Sequence, residues 1–130
     1  MTSLPLHFRN LIEVANMIKR GKATSLEVTV HMLDRIADID RQLNSYIHVC
    51  REHALEQART ADIEITSGIY KGLLHGVPIA VKDLCFTTYA PTRAGTTIYT
   101  NFMAPYNATV VDRLECAGAV ILGKLSMTEG

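Results

Sequence analysis

The sequence predicts an α/β fold: N-terminal helices, then part of a mixed, partly parallel sheet with helices packed on it. Three observations carry this. Apolar residues in the first half recur at helical spacing. The second half switches to short apolar runs, "VPIAV" and "AVIL", of the kind that buried strands show. Between those runs stand a long loop and one helix, and the order strand, loop, helix, strand belongs to sheets with parallel neighbours.

Each element has a local reason. A first helix is expected over residues 6–20, with Leu11, Val14, Ala15 and Ile18 on one stripe and Gly21 as its stop. "TSLE" sets Thr24 and Glu27 at capping-box spacing, and the helix behind it carries Leu26, Val30, Leu33, Ile36 and Ala37 on one face. "NSYIHV" reads as a short strand or extended link. A more polar third helix is expected over residues 51–63, and "TSGIYKG" as a loop. "VPIAV" is a strand bounded by Gly76 and by Lys82–Asp83. "TTYAPTRAGTTIYTNFMAPYN" is rich in Thr, Gly and Pro and reads as a long loop, a feature often tied to function. Asn107 is placed to cap a helix over residues 108–116, with Val110, Val111 and Leu114 as its apolar face and Gly118 closing it. "AVIL" is then a buried strand over residues 119–122 that ends at Gly123.

Composition excludes several classes. The 130 residues are 48% hydrophobic and 20% charged, enough for one globular unit with a core. Thirteen basic residues balance thirteen acidic ones, so nothing electrostatic favours nucleic acid or an anionic membrane as a partner. The N-terminus lacks the basic and apolar blocks of a signal peptide, and no apolar run approaches the ~20 residues of a membrane helix. Cys50, Cys85 and Cys116 are odd in number and far apart, which argues against a disulfide framework and a zinc knuckle. A cytoplasmic location follows as the default.

Motif matches need a physical reading. "GAVILGK" fits the skeleton of a phosphate-binding loop, but its middle residues form a strand, a helix precedes it, and Leu125 stands where Ser or Thr should hold magnesium. A helix–turn–strand corner explains it better. "NAT" at residues 107–109 is a glycosylation sequon that reads as a helix cap. His75 reads as a loop residue, with no second histidine at metal-ligand spacing. Nothing nearby marks Cys85 as a nucleophile.

Lys82 is the residue that the strand pattern does not explain. Strand side chains alternate faces. Val77, Ile79 and Val81 share one face, while Pro78, Ala80 and Lys82 share the other. The lysine face is therefore small and smooth, with room for another backbone or a ligand. One reading has Lys82 pair with Asp83 or snorkel to water at the strand end. The other holds it in a desolvated cleft, where burial disfavours the ammonium form and a neutral lysine can accept a proton.

"GLLHGVPIAVKDL", "TRAGT" and "PYNATVVDRLECAGAVILGKLSMTEG" resemble, in order and spacing, the amidase signature family, from Gly72 to Gly130. The preceding helices are similar to that family's N-terminal helices, less specifically. The resemblance implies hydrolysis or transfer of carboxamides by a Ser–Ser–Lys triad. A serine attacks the amide carbon, a second serine in a cis peptide relays its proton, and the lysine of the "VKD" segment is the base. That role falls on Lys82. It implies no metal or organic cofactor, and a small-molecule amide as substrate.

The sequence departs from the family at one point. The Gly/Ser-rich segment with both serines and the oxyanion donors follows the "GK-x-x-M-x-E" stretch, inside which this sequence ends. Ser3, Ser25, Ser45, Ser67 and Ser126 all lack a Gly-Ser-Ser-Gly context, and the family places no triad serine at Ser126. Residues 1–130 are thus expected to be the N-terminal portion of one amidase domain, truncated at its C-terminus and inactive alone. "KLSMTEG" resembles a general amidase more than the A subunit of the glutamyl-tRNA(Gln) amidotransferase, which stays an alternative. A short non-catalytic binding or pairing protein is a further one, and a homodimer is left open.

Overall fold

The computed structural model describes residues 4–128. Ser3 and the final Glu129–Gly130 lie outside them. The expected first helix is two elements: a 3-10 turn over Leu6–Phe8, then α1 over Leu11–Lys19. The break falls at Asn10, whose side chain accepts from Glu13 N–H while Glu13 reaches back to Asn10 N–H, a second capping box. The pair Thr24 and Glu27 caps α2, Ser25–Leu43, as its spacing indicates. Leu33 is its buried centre and Leu26, Val30 and Ile36 are partly buried, but Ala37 is exposed. α3 runs from Arg51 to Thr66 and buries Ala54, Leu55, Ala58 and Ala61. Its small residues let it lie close against the sheet, which is why a polar-looking helix has a core face.

Among the described residues three strands, β1 (Tyr46–Val49), β2 (Pro78–Lys82) and β3 (Val120–Leu125), pair in the order β1-β3-β2. β2 and β3 are parallel and β1 is antiparallel to β3, so the sheet is mixed as expected. β3 does not stop at Gly123. It continues through Lys124 to Leu125 because β1 pairs with that segment: His48 lies opposite Lys124 and Val49 opposite Gly123. A Cβ on Gly123 would strike the His48 carbonyl oxygen, so glycine permits the close approach.

α2 and α3 cover one face of β3, with Leu33, Ala54, Leu55 and Ala58 against Val120 and Leu122. α4, Thr109–Cys116, covers the other, with Val111 against Ile121 and Val81. A third cluster joins α1 and the start of α2 to Val77. β2 is less buried than its composition suggests: only Val81 is fully enclosed, and Pro78, Ile79 and Ala80 are half-buried.

Asn107 is not the cap of α4. The N-cap is Ala108, without a side-chain bond. Asn107 Oδ1 instead accepts from Thr88 N–H at 2.8 Å and its Nδ2 donates to Asp112 at 3.0 Å, so it fastens the long loop to the helix. Val110 on the expected apolar face is exposed. Residues 83–108 contain no helix or strand, in keeping with a long loop. Among the described residues no helix is long and apolar enough to cross a membrane.

Candidate active site

Lys82 ends β2, opposite Leu125 on β3. Its carbonyl accepts from Cys85 N–H at 3.0 Å, which closes a tight turn. Its side chain is exposed, so the described residues do not build the desolvated cleft expected around it. It makes no ion pair with Asp83; that carboxylate is turned inward to another lysine.

The enclosed lysine is Lys124, the largest fully buried side chain among the described residues. Its Nζ donates to Thr92 Oγ1 at 2.9 Å, to the Pro91 carbonyl at 3.3 Å and to Thr87 Oγ1 at 3.5 Å. It lies 3.4 Å from Asp83 Oδ1, an ion pair whose geometry is not that of a hydrogen bond. Burying an ammonium requires such a complete set of partners.

A bulge explains how Lys124 reaches them. Ile79 lies opposite Ile121 and Val81 opposite Lys124, so two residues of β2 span three of β3. Directly opposed residues share a face. Lys124 is therefore on the face of Ile121 and Val81, toward α4 and the long loop. Strict alternation would have sent it to the α2–α3 side. Re-aiming one side chain is a recurrent use of bulges.

Asp83 is held on every polar group but one. Its N–H donates to the Leu125 carbonyl at 3.0 Å, its Oδ2 accepts from Arg93 N–H at 3.1 Å, and its carbonyl accepts from Ala94 N–H at 3.2 Å. The segment Pro91–Gly95 thus folds around Asp83, with Ala94 at φ 52°. Beyond the ends of β2 and β3 lies a cavity of about 240 Å³, lined by Ile47, Asp83, Arg93, Thr96, Thr97 and Ser126 among others. Lys82 is not among its lining residues. The crevice outside the carboxyl ends of parallel strands is the usual place for ligands in open α/β sheets.

The other singled-out residues lie elsewhere or are committed to structure. The Ser126 hydroxyl donates to the Asn44 carbonyl at 2.9 Å. Ser25 is buried, donating to the Gly76 carbonyl at 2.6 Å, and Ser67 donates to the Glu64 carbonyl. His75 is a loop residue but wholly buried: its Nδ1 accepts from Lys71 N–H at 3.0 Å and its Nε2 lies 3.4 Å from Glu64. Gly118, at φ 87°, passes so close that a Cβ would strike the His75 ring. The three thiols are free. Burial pushes the Cys50 thiol up to about 11, with Lys124 pulling the other way. Tyr89 anchors the long loop by donating to Glu115 at 2.7 Å and stacking on His53.

Lys124 and its cage are not foreseen by the sequence pattern, which ends the strand at Gly123. The signal is nevertheless present. "VPIAVK" and "AVILGK" are parallel patterns, each an apolar run with a lysine at its end.

The profile of the Amidase family matches residues 27–130, and the chain belongs to that family. It is 58% identical to AmiD of Mycobacterium tuberculosis over 120 residues, 92% of this chain and 25% of that protein. It is 45% identical to the A subunit of the glutamyl-tRNA(Gln) amidotransferase of Nitrosococcus oceani, over 95% of this chain and 26% of that one. The peptide amidase of Stenotrophomonas maltophilia superposes with a TM-score of 0.87 at 33% identity, covering 93% of this chain and 25% of its own. A bacterial aryl acylamidase of the amidase signature family, at 22% identity and TM-score 0.89, shares the fold. The chain spans about a quarter of the length of the curated relatives it matches.

Proposed function

We propose that residues 1–130 are the N-terminal part of a cytoplasmic amidase that hydrolyses a small carboxamide to carboxylate and ammonia, with Lys82 as the base of a Ser–cis-Ser–Lys triad. The observation that carries this reading is the position of Lys82. It ends a parallel strand with its backbone fixed and its side chain open, on a chain of the Amidase family.

In the proposed reaction a serine Oγ bonds to the amide carbon. Its proton passes to the relay serine, whose own proton goes to Lys82 Nζ. The tetrahedral intermediate then expels the nitrogen as the C–N bond breaks, and the relay returns a proton to the leaving ammonia. Water repeats the sequence on the acyl-serine and releases the carboxylate. Both serines and the oxyanion donors belong to sequence outside this chain. The higher identity to AmiD, 58% against 45% for the amidotransferase relative, favours a general amidase.

The test is a pair of substitutions in a full-length amidase carrying this segment. Lys82→Ala should lower kcat/KM by about 10⁴-fold with the fold intact, as removal of a triad member does. Lys82→Arg should not rescue it, because a guanidinium stays protonated. The 130-residue chain alone should turn over neither aliphatic nor aromatic amides. Near-normal turnover by Lys82→Arg would make this lysine an ion-pair partner instead, and turnover by the chain alone that vanished with Ser126→Ala would overturn the triad.

A further inference from the structure

We infer that Lys124 is a positioning residue for Lys82: with Asp83 and the Thr87–Thr92 loop it forms a buried clamp that sets where the base stands. The inference rests on the reading of Lys82 as the base.

The clamp acts through one peptide unit. Asp83 follows Lys82 directly and is restrained on both sides of its Cα and through its carboxylate. Lys82 itself is restrained by its pairing with Leu125 and by the turn to Cys85. The Lys82 side chain is exposed and is held by no hydrogen bond or ion pair among the described residues, so its aim derives from this backbone. Lys124 is what joins the restraints: the same ammonium contacts Asp83 and the loop oxygens of Pro91, Thr92 and Thr87. The loop in turn presents Arg93 and Ala94 N–H to Asp83.

A purely stabilising ion pair would not need this construction. β3 departs from regular pairing so that Lys124 faces the loop, and the glycine before it admits β1 at close range. The result ties the end of β2, the end of β3 and the long loop to one ammonium group, and that group grips the residue next to the proposed base. Proton transfer is sensitive to placement: a displacement of ~1 Å can cost about 100-fold in rate.

The test uses the full-length amidase carrying this segment and three variants. Thr92→Val removes the 2.9 Å bond to Lys124 with almost no change of volume. Asp83→Asn combined with Lys124→Met removes both buried charges together, and Lys124→Met alone leaves the Asp83 carboxylate buried and unpaired. The double variant should melt like the parent and Thr92→Val somewhat below it, because a buried ammonium loses one acceptor. Both should stay folded yet lose roughly 10- to 100-fold in kcat, with KM changed less than about twofold, since substrate binding is not the clamp's task. Lys124→Met should lose at least as much. A folded Thr92→Val or folded double variant with parental kcat would overturn the inference, leaving Lys124 a stabilising residue only. If either fails to fold, kcat of the other decides. The base reading fails separately, through near-normal turnover of Lys82→Arg with the clamp untouched.

Discussion

Gly123 sits where the His48 carbonyl oxygen leaves no room for a side chain. The obstacle is backbone of a paired strand and cannot move aside as a long side chain would. Gly123→Ala is therefore expected to destabilise by about 1–3 kcal/mol, the usual cost of overpacking, read as a lower midpoint in urea unfolding. The effect should appear as separation of β1 from β3, since α4 and β2 lie on other sides of the site. Lys124, the next residue, shows what a lysine needs in order to be buried: oxygen partners around its Nζ. Lys82, at the end of the neighbouring strand, has none among the described residues and is exposed. The two residues look alike in sequence because an apolar run followed by lysine does not say which way the side chain turns.

At the scale of elements, the helices are set by local chemistry. Thr24 accepts from Glu27 N–H at 3.0 Å and its own N–H donates to Glu27 at 2.8 Å, and both residues are exposed. Thr24→Ala should cost about 1 kcal/mol, and thermal unfolding of the variant gives the value directly. α3 is tied to the turn before β2 by a different device. Glu64 meets Lys71 Nζ at 3.0 Å and the buried His75 ring at 3.4 Å. The Lys71 bond, with smaller help from His75, holds the Glu64 carboxyl below its ordinary value. A carboxylate depressed in the folded state adds stability above its unfolded pKa, and that stability is lost as pH falls through the folded value. Acidifying from pH 7 to below the ordinary carboxylate range near 4.5 should lower the melting temperature more for the parent than for Glu64→Gln. Parallel loss in both would place the acid sensitivity elsewhere.

For the whole molecule the telling surface is the long loop. Ile98, Tyr99, Phe102, Met103 and Tyr106 are all exposed large apolar residues there, and Leu84 adds to them near the end of β2. Among the described residues β1 and β2 are the two outer strands of a three-stranded sheet. Exposed apolar patches and open strand edges both recruit other chains. The 130-residue chain on its own is expected to self-associate, with sedimentation velocity showing species heavier than 14.4 kDa. A monodisperse monomer melting cooperatively above ~60 °C would show that this surface is tolerated without a cover.

The local layers of the structure could be read from residues alone. Thr24 and Glu27 announced α2, "VPIAV" and "AVIL" announced two neighbouring strands, and the Thr/Gly/Pro-rich segment announced its loop, because capping, period and turn chemistry act over a few residues. Other features required residues far apart to meet. Lys82 could be singled out, yet its exposure depends on what stands over the face of Pro78 and Ala80. Asn107 has the composition of a cap but is drawn to Thr88 by the fold of the loop. Lys124 is not legible in the sequence because its direction is decided by a bulge between β3 and β2, and its cage is assembled from residues 32 to 41 positions earlier. Periodicity tells which residues share a face only while a strand stays regular. Where pairing with a distant strand shifts the register, only the assembled sheet determines which side chain goes inside.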